Sequence, residues 1–205
     1  MNKIFDFFFA VPPMPALVVS WLLFFVLHSA LAHPSIQNVL QHKTRLSAQA
    51  YRILYNLLAI ASLLLPMGLL HYNTWQVVWS IPAELQIGRD SLRLLAVAGI
   101  IWTAFYYPMG QFIGISPATS RNTGLTISPL HRISRHPWYT LALIIIWSGD
   151  MHSGWLLSCI LMSVYFVIGA YLEEQKLLQT FGNEYQHYMQ QVPGIIPRPW
   201  RWFKS

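Results

Sequence analysis

Apolar positions fall in five runs along the chain, separated by shorter polar stretches. The runs cover Met14–Ala32, Ile53–Leu70, Leu92–Ile113, Trp138–Gly149 and Trp155–Leu172. Four of them approach or exceed the length needed to cross a bilayer as a helix, about 20 residues. The fourth reaches only about 18 Å at 1.5 Å per residue, less than the roughly 30 Å hydrocarbon core. It reads as the short arm of a helical hairpin with the fifth, joined by a tight turn over Asp150–Gly154. Pro66 and Pro108 read as tolerated kinks. The stretches His33–Gln49, His71–Asp90 and Gly114–Ser134 read as connections. Beyond Leu172 the pattern changes: Leu178, Phe181, Tyr185, Tyr188 and Val192 recur at spacings of three and four, one face of an amphipathic helix. Gly182 stands inside that pattern as a weak point or a break between two short helices.

The expected fold is therefore all-α, a polytopic membrane protein with about five transmembrane helices and a C-terminal amphipathic interfacial helix. It is expected to be one integral membrane domain over 1–205, with N-terminal helices in 14–113 and a functional C-terminal half in 121–205. Ala30-Leu31-Ala32 also mimics a signal-peptidase site, so a cleaved leader is the competing reading of the first run. Length and Asp6 favour a retained helix.

Composition agrees with the pattern: 55% hydrophobic, 15% aromatic and only 10% charged, against roughly 25% charged in soluble domains. The net charge is +6. Its distribution argues against nucleic-acid binding, because the basic residues sit in short loops. If all five runs cross, ten of the 13 Lys and Arg residues fall on one side, leaving Lys3, Arg89 and Arg93 on the other. The positive-inside rule then puts the N-terminus outside and the C-terminus in the cytoplasm, as for a multi-pass protein of a bacterial inner membrane. The aromatic, basic tail with Trp200, Trp202 and Phe203 suits the interface. The single Cys159 permits no internal disulfide and reads as a buried thiol. The eight histidines lack metal-ligand spacing, so no metal is expected.

Chemistry concentrates in two places. Arg135-His136-Pro137-Trp138-Tyr139 opens the fourth run, and Glu173-Glu174 closes the fifth. Charge at a membrane edge is a functional signal by default. Pro137 suits the first turn of a helix, and free N–H groups there, with Arg135, would form an anion site. The hairpin brings the carboxylates to the same side. Such a site would take a zwitterion, its anion near Arg135, its hydroxyls or amine near a glutamate, between walls from Tyr139, Phe181 and Tyr185. The competing reading is an anchor for Arg135 and His136 at lipid headgroups, with Glu173 pairing Lys176.

These segments, together with Gln175-Lys176-Leu177, Phe181-Gly182, Tyr185, Tyr188 and Val192-Pro193, resemble the C-terminal signature of the isoprenylcysteine carboxyl methyltransferase and phospholipid methyltransferase superfamily. The resemblance covers roughly residues 121–197. It implies an integral membrane methyltransferase using S-adenosylmethionine, with a cofactor cavity open to the cytosol and an acceptor entering from the bilayer. By that resemblance Arg135 and Glu174 are catalytic candidates, and His136, Pro137, Tyr139, Glu173 and Tyr185 cofactor-binding ones. The acceptor would be a lipophilic molecule or a small thiol, carboxylate or amine, and the oligomeric state stays open. Leu141 departs from the family, which often has glycine there. His28-Ser29 and Tyr51-Arg52 through Tyr55-Asn56 resemble a branch that includes bacterial methanethiol methyltransferases and denitrification-associated membrane proteins. Membrane sterol reductases share an Arg-His-x-x-Tyr pattern, so an NADPH-dependent reductase is an alternative, and a non-catalytic accessory protein a third.

Overall fold

The computed structural model describes residues 13–116 and 124–197. Among them lie eight α-helices: α1 (Pro13–Ala32), α2 (Pro34–Thr44), α3 (Ala48–Tyr72), α4 (Ala83–Ala104), α5 (Met109–Phe112), α6 (Pro137–Trp147), α7 (Ser153–Phe181) and α8 (Asn183–Gln191). Two short strands, β1 (Val77–Trp79) and β2 (Met151–His152), pair with each other, and Pro129–Arg132 forms a 3-10 turn. The protein is thus mainly helical with one small strand pair that the apolar pattern did not foretell. The N-terminal Phe-rich patch, Arg121 and the aromatic tail lie outside the described residues.

Three helices, α1, α3 and α7, are long and apolar enough to cross a bilayer. Their outward side chains, such as Val19, Val26, Leu57, Leu64, Val164 and Val167, are mostly exposed, a surface suited to lipid rather than water. At 11 residues, α6 rises only about 17 Å, as its short apolar run implied.

The described residues pack as two compact units. In the first, formed within 13–78, 110–116 and 151–161, α1 packs on α3. The Trp21 indole N–H donates to Ser158 Oγ at 2.8 Å, and the ring stacks on Phe25. Tyr51 OH donates to the Leu31 carbonyl at 2.8 Å. The stretch after α1 read as a loop from sequence, but it is helical. His33 Nδ1 accepts from Ser35 N–H, Pro34 starts the helix, and Arg45 in the left-handed region (φ 57°) stops it. Caps, rather than apolar periodicity, define α2. Ser47 Oγ caps α3 in turn. Gly114, at φ 89°, admits no side chain, since a Cβ would stand 2.9 Å from the Gln49 carbonyl. Arg52 and Asn56 of α3 donate to the carbonyls of Gln111 and Ile113, fixing this segment. Cys159 is buried, as expected.

The second unit, formed within 79–109, 124–150 and 162–197, holds α4, α6, most of α7 and α8. The third apolar run was placed at Leu92–Ile113, but α4 begins nine residues earlier, at Ala83, and ends at Ala104, short of Pro108. Its polar first half is accommodated by ion pairs that sequence alone does not reveal. Arg89 pairs with Asp90 (2.8 Å) and Asp150 (3.2 Å), Asp150 also accepts from Ile81 N–H, and Arg93 donates to Ser148 Oγ. Deeper along the same pair of helices, Leu141 fits because its neighbour on α4 is Gly99, where a Cβ would come within 3.0 Å of the leucine. The fifth run likewise extends past Leu172, so that Glu173 and Glu174 sit inside α7, two turns before its end at Phe181. Gly182, at φ 51° and ψ −124°, breaks the helix there, a conformation that glycine alone adopts readily. The apolar face expected over 178–192 therefore belongs to two helices. Its Tyr185, Tyr188 and Val192 still meet in one buried cluster with Leu178 and Phe181.

Candidate functional site

The second unit contains a cavity of about 830 Å³, lined among others by Arg135, His136, Trp147, Tyr171, Glu174 and Ile195. The Arg-His segment and one glutamate, 39 positions apart, thus reach a single hollow. Arg135 donates from Nε (2.9 Å) and Nη2 (2.7 Å) to Glu174 Oε1. His136 Nε2 lies 3.0 Å from the same oxygen. Three groups therefore converge on one carboxylate oxygen, in a place where the Arg135 and Glu174 side chains are only 12% and 14% exposed. The other imidazole nitrogen, Nδ1, is 3.5 Å from Glu173 Oε2, and that side chain is 51% exposed. The two glutamates are thus held on opposite sides of one ring.

This arrangement sets the charge on His136. Burial works against its imidazolium form, but hydrogen bonds and charge from Glu173 and Glu174 outweigh it and raise its pKa. The ring is held flat against Tyr139 (5.5 Å, 12° between planes), which stacks in turn on Phe166 (5.2 Å, 6°).

A strap of chain after α8 closes one wall, a feature that apolar periodicity does not mark. Arg135 Nη1 donates to the carbonyls of Met189 and Val192. Arg135 N–H donates to the Pro193 carbonyl at 2.8 Å, and His136 N–H faces that of Gly194 at 3.4 Å. Ser134 Oγ donates to Gly194 O at 2.6 Å, and Thr140 to Ile195 O. The strap thus takes the N–H groups of Arg135 and His136, just ahead of α6, and the Arg135 guanidinium is engaged with Glu174 and two carbonyls. All the anchors on the strap are backbone carbonyls, so no residue type there marks them.

Among the remaining residues expected here, Pro137 is buried as the first residue of α6. Tyr139 supports His136 and reaches towards Glu173. Tyr185 was expected as an aromatic wall but is 1% exposed inside the tyrosine cluster. Helical periodicity marked it as inward-facing without telling core from cavity. The aromatic wall comes from Trp147 and Tyr171, neither of which is marked out in the sequence. No group of three or more potential metal ligands occurs among the described residues.

Behind this layer His131 is buried between Ser128 Oγ (2.7 Å from Nδ1) and Tyr107 OH (3.1 Å from Nε2). Tyr188 OH donates to its carbonyl. Burial, then repulsion from His136, push its pKa down to about 4, against a weaker pull from Glu173. The two histidines therefore act in opposite pH windows. A group with a depressed pKa gives stability that is present above its unfolded value, near 6.5, and lost as pH falls towards 4. A raised pKa gives stability that is complete below 6.5 and lost as pH rises through the folded value. Stability is expected to peak near pH 6.5, with about 3 kcal/mol lost on the acid side through His131. Thermal unfolding of His131→Gln against pH checks this, because the acid limb should flatten in the variant.

No protein-family model matches the chain, and no solved structure does. Curated relatives do. A methanethiol S-methyltransferase of a Pseudomonas species is 43% identical over 70 residues, 34% of this chain and 27% of that protein. Methanethiol S-methyltransferase 1 of Bradyrhizobium diazoefficiens is 27% identical over 146 residues, 65% of this chain and 50% of that protein. The enzyme of the same name from Pseudomonas deceptionensis is 28% identical over 131 residues, 58% and 49% of the two chains. The chain thus spans half the length, or less, of the curated relatives it matches.

Proposed function

We propose that this protein is a membrane methyltransferase that moves a methyl group from S-adenosylmethionine to a small thiol. The observation that carries the reading is the convergence of Arg135, His136 and Glu174 on one cavity in a chain whose curated relatives are named methanethiol S-methyltransferases.

The donor set fits such a cofactor. A cavity of about 830 Å³ lies in the range of small-molecule sites, roughly 300–1,000 Å³. Glu174 and the strap carbonyls offer acceptors for hydroxyl and ammonium groups, and Trp147 and Tyr171 offer faces for a flat base. When bound, the cofactor supplies a methyl group on a positively charged sulfur. The tasks of the chain are positioning and exclusion of water, which supply up to about 7–11 kcal/mol in such displacements. Arg135 and His136 together fix the Glu174 carboxylate through one oxygen, and Val192 and Ile195 line the wall beside it. The thiol's proton is lost to bulk solvent as the methyl group arrives, and Glu173, held on the far nitrogen of His136, stands outside the cavity lining. With five crossings, the basic-residue balance puts this site on the cytoplasmic side, and the bilayer is the protein's first partner.

The test is calorimetry with S-adenosylhomocysteine, followed by turnover of methyl-labelled cofactor with methanethiol. Binding and labelled dimethyl sulfide are expected. NADPH binding in place of S-adenosylhomocysteine would turn the assignment to a reductase, and binding of neither would leave a non-catalytic membrane protein.

A further inference from the structure

A second, smaller cavity lies in the first unit, between α1 and α3. Its volume is about 170 Å³, and its walls include Leu31, Leu58, Ala59 and Ala61. The wall is almost entirely apolar, with one polar edge where Tyr55 OH meets the His28 ring at 3.0 Å. Phe24 lies against the same imidazole, 5.5 Å between centroids. The Ser62 hydroxyl is turned back to the Ala59 carbonyl at 3.0 Å and lends the cavity little polarity.

Size and polarity together narrow the occupant. An apolar cavity of about 150 Å³ stays free of water and takes benzene-sized guests. Ala59 and Ala61, both on α3, leave space where larger side chains would fill it at normal packing density. A histidine–tyrosine pair inside membrane-spanning helices is a functional signal rather than a packing choice, because apolar residues would fill the place at lower desolvation cost. Leu27 and Leu58, also at the rim, are 40% and 45% exposed on the lipid-facing side, so a guest dissolved in the bilayer can reach the cavity.

We propose that this cavity is a holding site for a small uncharged thiol, its alkyl part against Leu31, Leu58, Ala59 and Ala61 and its sulfur at the His28–Tyr55 edge. The identity of the occupant rests on the methyltransferase reading, and the existence of the site does not. A thiol suits the edge because S–H is a weak donor and sulfur a weak acceptor, so it meets one polar contact without needing more. Anionic and zwitterionic guests do not match a wall with so little polarity. The reservoir it provides is the membrane itself, where a short alkanethiol is enriched over water.

The experiment uses the full chain in nanodiscs with 1-propanethiol as probe, read by NMR of labelled alanine methyl groups and histidine rings. Saturable shifts at Ala59, Ala61 and His28 are expected. Ala59→Leu, which fills the space, should weaken the probe by about tenfold or more and raise KM for thiol with little change in KM for the methyl donor. Tyr55→Phe should weaken propanethiol several-fold and leave pentane unaffected. Unchanged S-adenosylhomocysteine binding in each variant shows that it is folded. Saturable probe binding without any methyl transfer would remove the enzymatic reading and keep the site. Methyl transfer with no probe shifts, or a folded Ala59→Leu that binds propanethiol as wild type does, overturns the holding site. Equal loss of propanethiol and pentane in Tyr55→Phe overturns its selectivity for thiols.

Discussion

Arg135→Ala is expected to abolish methyl transfer and to unfold at a markedly lower temperature. The guanidinium meets Glu174 Oε1 through two nitrogens and, through a third, the carbonyls of Met189 at the end of α8 and Val192 at the start of the strap. Its removal leaves a carboxylate that is 14% exposed without its strongest partner, and the strap without its central anchor. Breaking a buried pair from one side costs about 3–5 kcal/mol. Arg135→Lys separates charge from geometry. It restores a cation, but its donors all sit on one nitrogen and cannot reproduce contacts made from three separate guanidinium nitrogens, so stability should recover more than turnover. Differential scanning calorimetry and labelled-methyl transfer measure both. An alanine variant with full turnover would remove this residue from the site.

The second large effect separates the adjacent glutamates. Glu174→Gln should reduce kcat/KM by about a thousandfold, because the oxygen on which Arg135 and His136 converge loses its charge, and preorganised contacts of that kind are worth about 3–4 kcal/mol. Glu173→Gln should reduce it by about tenfold or less. Its carboxylate is half exposed and meets only the far nitrogen of His136 at 3.5 Å. Binding of S-adenosylhomocysteine should follow the same order. Equal losses in the two variants would contradict the division of roles.

Much of this could be read from the chain, and the omissions have physical causes. The apolar runs marked α1, α3 and α7 because lipid-facing helices need little else. They could not show that α2 is helical, since its signals are the caps at His33 and Arg45. They missed the start of α4, where Arg89 looks like a loop residue until Asp150 is seen beside it. In the site, the approach of the Arg135 segment to the glutamates followed from the hairpin, but that Arg135 would pair with Glu174 rather than hold an anion did not. Which glutamate is inward could not follow, since neighbours on a helix differ by about 100° and the phase depends on packing. Trp147 and Tyr171 were hidden for a related reason, as aromatic residues in apolar runs serve lipid and cavity alike.

The strap from Val192 to Ile196 is bound to Arg135, His136, Ser134 and Thr140 through main-chain oxygens alone. Beyond the buried Val192 its hold on the protein therefore asks little of its side chains, while its length is fixed by the register of those bonds. Positions 195 and 196 can change over generations, reshaping the hollow for a bulkier or slimmer guest, without touching the machinery that holds Glu174. A library randomised at those two sites alone would be the natural place to redirect the protein towards new acceptors.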